Sequence, residues 1–158
     1  MSPRAIGRLA RSCALTLLAL LALAGCGQQR AALAPSCLDE TAMLAALQRA
    51  PGPVALDGAT PLSRCISSAR DGSDLRSLGH SFTRLTDTLR AQAATDADAA
   101  LRLGYVAGAV RAGASRTSSG IADQLARRVE QLATLRRDAG TAADAAYRRG
   151  LAAGERDG

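Results

Sequence analysis

Leu75, Leu78, Phe82, Leu85 and Leu89 step along the chain by three and four, which places them on one face of a helix over two heptads. Ile121, Leu125, Val129, Leu132 and Leu135 draw nearly the same stripe, and Gly140 is expected to close that helix. Upstream, Ser36 precedes a helical stretch over 37–50 with Leu38, Met43, Leu44 and Leu47 apolar, and Pro51 stops it. Residues 51–60 (PGPVALDGAT) are dense in turn formers and read as a loop. Thr60 and Pro61 then suggest a cap and a proline at the first position of a short helix running to Arg70. Its inner face carries Leu62, Ile66 and Ala69, with Cys65 beside them.

The second half of the chain repeats itself. Residues 95–108 (TDADAALRLGYVAG) align without gaps on residues 141–154 (TAADAAYRRGLAAG), nine of fourteen positions being identical at an offset of 46. The same offset pairs Ser73 with Ser119, Leu75 with Ile121, and residues 88–90 with 134–136. This is a duplicated unit, 73–118 and 119–158, each a long helix followed by a shorter one. Two such helical hairpins, with four apolar stripes to hide, predict an all-α fold. The expected form is an antiparallel four-helix bundle with the shorter helical pair of residues 37–72 packed at one end.

The repeated residues have structural explanations. Thr95 with Asp98, and Thr141 with Asp144, have the spacing of a capping box at a helix start. Asp98 with Arg102, and Asp144 with Arg148, are opposite charges at i,i+4. Gly104 with Gly108, and Gly150 with Gly154, are costly inside a helix, by about 1 kcal/mol each against alanine. A close helix contact at these positions offsets that cost. Leu101 and Tyr105 in the first copy become Tyr147 and Leu151 in the second, two bulky groups exchanged in order.

The N-terminus follows a different pattern. Arg4, Arg8 and Arg11 precede an apolar run at 12–24, and then come Leu23-Ala24-Gly25-Cys26. A positive stretch, a short apolar run and small residues before a cut are the marks of a secretory signal. As a helix the run spans about 20 Å against a hydrocarbon core of about 30 Å. The tetrad resembles the lipobox of bacterial lipoproteins. That resemblance implies removal of residues 1–25 by cleavage between Gly25 and Cys26. It also implies lipidation of Cys26, typically with a further acyl chain on its amine, and a tether over 26–36. Gly27, where an aspartate would favour the inner membrane, implies the periplasmic face of the outer membrane in a two-membrane bacterium. In a one-membrane bacterium the same anchor implies the outer face of the cytoplasmic membrane.

Export changes how the rest reads. All 20 basic residues are arginine, and removal of three with the signal leaves 17 against 14 acids, a net +3. With one Phe and two Tyr there is neither the charge nor the stacking surface of a nucleic-acid binder. Arg127, Arg128, Arg136, Arg137, Arg148 and Arg149 are candidates for contact with anionic lipid or an acidic polymer. Once Cys13 leaves with the signal and Cys26 is lipidated, Cys37 and Cys65 remain as an even pair in an oxidising compartment. A disulfide between them closes a loop of 29 residues and staples the first helix to the second. In the chain-entropy model such a loop contributes about 3.6 kcal/mol.

Chemistry is thin. His80 is the sole histidine and falls on the solvent side of its stripe. No zinc-binding, nucleophile-elbow or phosphate-loop motif occurs. The expectation is therefore a membrane-anchored envelope lipoprotein with a small helical structural or protein-binding domain. No catalytic residue, metal or cofactor is expected beyond the covalent lipid. The alternatives are an envelope-polymer hydrolase working through scattered acids, or an arginine-rich module binding anionic lipid or cell-wall polymer.

Overall fold

A computed structural model describes residues 33–134 and 140–158. The described residues form six α-helices: α1 (Glu40–Ala46), α2 (Leu62–Ser67), α3 (Gly72–Ala93), α4 (Ala97–Ser115), α5 (Gly120–Leu132) and α6 (Gly140–Asp157). A two-residue hairpin, β1 (Ala55–Leu56) with β2 (Thr60–Pro61), precedes α2.

The N-terminal stretch is more broken than its apolar spacing predicts. A 3-10 turn covers Pro35–Leu38, α1 is only seven residues long, and a second 3-10 turn covers Leu47–Arg49. The break falls at Asp39, whose carboxylate accepts the Ala42 amide at 3.1 Å and so starts a new helix. In the loop at 51–60, Asp57 takes a positive φ of 47° and Gly58 one of 77°, which is how the chain turns between the two strands. Thr60 and Pro61 belong to that hairpin, so α2 starts one residue later than expected and stops at Ser67 instead of Arg70.

Caps set the starts of the long helices. Asp71 accepts the Ser73 and Asp74 amides for α3, and Ser119 accepts that of Ala122 for α5. For α4 the cap is Asp96, accepting from Asp98, and not Thr95, whose hydroxyl turns back to the Gln92 carbonyl. The equivalent Thr141 side chain lies outside the described residues. Asp98 and Arg102 form no ion pair. Gly140, expected to end the long helix, is the first residue of α6 with φ of 76°, and α5 has already stopped at Leu132.

The stripe on α3 is buried throughout, from Leu75 to Leu89. On α5 it is only partly so: Leu125 and Val129 are buried, but Ile121 is 51% exposed. Leu135 lies outside the described residues. The central element is α4, apolar on nearly every side, with Leu103, Tyr105, Val106 and Val110 all inaccessible. Burial of each such side chain contributes about 1.5–3 kcal/mol.

Helices α2, α3, α5 and α6 all pack on α4, while α3 also packs on α5. The second unit therefore does not close as a hairpin of its own: α6 lies along α4 and not along α5. The shorter helical pair, expected at one end, runs alongside α3 and α4 and shares their apolar core. Its attachments are polar as well as apolar. Glu40 of α1 accepts from Arg84 at 3.2 Å and Thr88 at 2.9 Å on α3. The Tyr105 hydroxyl of α4 accepts the Val54 amide at 3.1 Å.

The glycines explain why α6 chooses α4. A Cβ at Gly104 would overlap the Tyr147 carbonyl oxygen and lie 2.9 Å from the Leu151 nitrogen. One at Gly108 would overlap the Leu151 oxygen and lie 2.8 Å from the Glu155 nitrogen. In return, Gly150 meets the Leu101 oxygen and Gly154 the Tyr105 oxygen. Because Gly104 and Gly108 meet successive turns of α6 in ascending order, the two helices run parallel. Their backbones touch where a side chain would hold them apart.

Candidate functional site

One end of the molecule is shaped by where the two repeated units begin. Parallel α3 and α5 start side by side, since a Cβ at Gly72 would lie 3.8 Å from Ile121 Cδ1 and one at Gly79 3.9 Å from Leu125 Cδ1. The C-terminal parts of α2 and α4 reach the same end. Between them is a groove of about 620 Å³. Its floor is apolar, with Ile66, Leu75 and Ala122 buried and Ile121 half out in solvent. Its rim carries Arg64, Arg70 and Arg116 together with the hydroxyls of residues 67–68 and 117–119.

The charges there are unequally committed. Asp71, the one carboxylate in the lining, is occupied in capping α3 and accepts the Ser73 hydroxyl at 2.6 Å. That hydroxyl, followed by the amides of Asp74 and Ser73, holds the Asp71 carboxyl below its ordinary pKa. Arg70 sits 4.0 Å from Asp74. Arg116 donates to the hydroxyl of buried Ser63 at 2.7 Å, and Ser63 in turn donates to the Gly158 carbonyl. The Arg64 guanidinium is exposed and has no partner among the described residues. Three arginines against one carboxylate leave the lining at a formal +2.

The sequence pattern did not single out these arginines, although it contained the signal. The 46-residue offset pairs Arg70 with Arg116 as well as Ser73 with Ser119, so the repeat begins three residues before position 73. Each unit contributes the same element to the groove: an arginine, a capped helix start and an aliphatic residue, Leu75 or Ile121.

The residues expected from sequence stand elsewhere. Cys37 and Cys65 are bonded, with Cα atoms 5.5 Å apart, and tie the first 3-10 turn to α2. Gly25, Cys26, Arg136 and Arg137 lie outside the described residues. Arg127 and Arg128 are exposed on α5, and Arg148 and Arg149 are exposed on α6, two helices that do not pack along each other. Arg111 of α4 reaches both of those helices, to Glu130 at 2.7 Å and Glu155 at 2.6 Å. His80 is exposed on α3, and no helix among the described residues is long and apolar enough to cross a membrane. The described residues hold no cluster of three or more metal-ligating side chains, and the polar side chains fully buried among them are Ser63, Ser81 and Thr86. No protein-family model, curated protein or solved structure matches this chain.

Proposed function

We propose that the protein is a lipid-anchored component of the bacterial cell envelope whose helical domain is a non-catalytic binding module. Lipid on Cys26 holds it to the membrane, at the outer membrane's periplasmic face in a two-membrane organism, and residues 26–36 space it from the surface. The domain is an antiparallel four-helix bundle of α3 to α6, drawn tight about the α4–α6 contact, with the disulfide-linked segment alongside.

The observation that carries this reading is the groove at the heads of α3 and α5. It sets an exposed isoleucine among guanidinium and hydroxyl groups, a composition that suits a recognition surface. The carboxylates of the described residues are all at least partly exposed, which fits recognition better than acid–base chemistry on a desolvated substrate.

Site-specific photo-crosslinking in intact cells tests it. A photoreactive side chain at position 121 is expected to give a discrete protein adduct, while one at position 80 on α3 gives none. The adduct is also expected to disappear for Cys26→Ser, which leaves the chain without its lipid. Equal labelling from both positions, or labelling from neither, would remove the groove as the functional surface.

A further inference from the structure

The groove is built twice over. At offset 46, Arg70 and Arg116 stand at equivalent places before α3 and α5, and each is followed by a capped helix start and an aliphatic residue. Parallel helices bring both positive ends to the same groove. Arg64 adds a third guanidinium with no partner among the described residues. Between them Ile121 is the large apolar side chain that the lining exposes, Ile66, Leu75 and Ala122 being buried.

From this we infer that the groove binds an acidic segment of a partner protein in which carboxylate side chains alternate with aliphatic ones. The carboxylates would face Arg64, Arg70 and Arg116, and an aliphatic group would cover Ile121. This deepens the binding-module reading and rests on it. The chemistry of the lining decides the ligand class. Guanidinium groups hold carboxylates through paired N–H donors, and here they share a groove with the exposed Ile121. An inorganic anion would leave Ile121 in water, whereas an extended peptide supplies both carboxylate and aliphatic groups at alternating positions. A phospholipid headgroup would supply charge at one point only, while the arginines come from three separate places in the chain: α2, the loop before α3 and the loop before α5. Charge complementarity therefore favours the peptide. Asp71, held through Oδ1 by Ser73 and Asp74, is the one opposing charge in the lining, and the three guanidinium groups outweigh it.

The test uses the full chain in detergent and a dye-labelled, amidated octapeptide of alternating Glu and Leu, followed by fluorescence anisotropy. Saturable binding is expected, weakening steeply with salt. The same peptide with Gln for Glu should bind about tenfold more weakly or worse, as should the Glu peptide to Arg64→Gln or Arg116→Gln. Ile121→Ser should weaken binding while leaving its salt dependence unchanged. Arg116 also bonds to Ser63, so Arg64→Gln, which breaks no contact among the described residues, keeps the test open if the other variant misfolds.

Equal affinity for the Glu and Gln peptides would overturn the inference, as would indifference to Arg64→Gln. Arginine-dependent binding of phosphatidylglycerol vesicles without binding of the peptide would overturn it in favour of a lipid headgroup. Arginine-dependent binding of inorganic phosphate alone would overturn it in favour of a simple anion site. The photo-crosslink from position 121 separates the two levels. A protein adduct without preference for the acidic peptide removes the ligand class and leaves the binding module, whereas absence of an adduct removes the module itself.

Discussion

Gly104 and Gly150 hold equivalent places on α4 and α6, and each rests on a carbonyl of the opposite helix, Gly104 on Tyr147 and Gly150 on Leu101. Those two carbonyls are themselves 46 residues apart, as are those of Tyr105 and Leu151 met by Gly154 and Gly108. The contact is thus a local two-fold between parallel helices, made by the two copies of one sequence motif. Each added methyl group must displace backbone, which cannot turn away as a side chain can.

Alanine at Gly104, Gly108, Gly150 or Gly154 should therefore destabilise. The helix-propensity gain of about 1 kcal/mol is outweighed by overpacking, which typically costs about 1–3 kcal/mol and more where only backbone can yield. Leucine should be worse at each position. Gly120 is the control: a Cβ there has nothing within 4 Å, so Gly120→Ala should be neutral or stabilising by up to about 1 kcal/mol. Urea melts of the five alanine variants would show it, and stabilisation at all four contact positions would refute the packing.

Tyr105→Phe isolates one hydrogen bond in the core. The ring is 0% exposed and its oxygen accepts the Val54 amide, so removal of the hydroxyl strands a donor at a cost of about 1–3 kcal/mol. Burial also raises the Tyr105 pKa. A group with a raised folded pKa contributes stability that is complete below the unfolded value near 10 and is lost as pH rises through the folded one. The wild type should lose stability in that alkaline window, and the phenylalanine variant should lose less.

Reduction of the disulfide should lower stability by about 2–4 kcal/mol, the usual range for a loop of this length. Paired serine variants at 37 and 65 should reproduce the loss, and reductant should then have no further effect on their melting. In unreduced protein neither cysteine should react with an alkylating reagent.

Asp71→Asn probes the cap of α3. A depressed carboxylate pKa contributes stability above the unfolded pKa and loses it as pH falls through the folded one. The wild type should be the more stable at neutral pH. The gap should hold down to the ordinary carboxylate range near pH 4 and close below it. Paired melts from neutral to strongly acid pH give the curve, and a gap that widens in acid would contradict the assignment.

Periodicity carried the reading of α3, where every member of the stripe is buried, and cysteine pairing carried the staple between Cys37 and Cys65. The cost of glycine inside a helix was enough to mark Gly104, Gly108, Gly150 and Gly154 as contacts. A stripe shows which face is apolar, but it does not name the neighbour. That is why α6 could be expected beside α5 when it packs along α4. Ile121 continues the spacing of its helix yet stands in the first turn, where the groove opens and no element among the described residues covers it. Asp39 and Asp96 decided helix starts by side-chain bonds that compete with equally good candidates one or two residues away. The arginines of the groove are separated by tens of residues, and only the register of the repeat links Arg70 to Arg116.

The exchange of Leu101 and Tyr105 for Tyr147 and Leu151 has a further effect at the glycine contact. Each level of the α4–α6 pair holds one tyrosine and one leucine, and the larger ring takes the inner place at Tyr105 while Tyr147 remains half-buried. If α4 met a second copy of itself in the same way, one level would hold two leucines and the next two tyrosines, a mismatch with the mixed levels that the two different copies make. The same mismatch would arise between two copies of α6. The backbones are interchangeable and the side chains are not, so the two-fold of the glycine contact stops at the main chain. One duplicated motif thus supplies both faces of a contact inside a single chain.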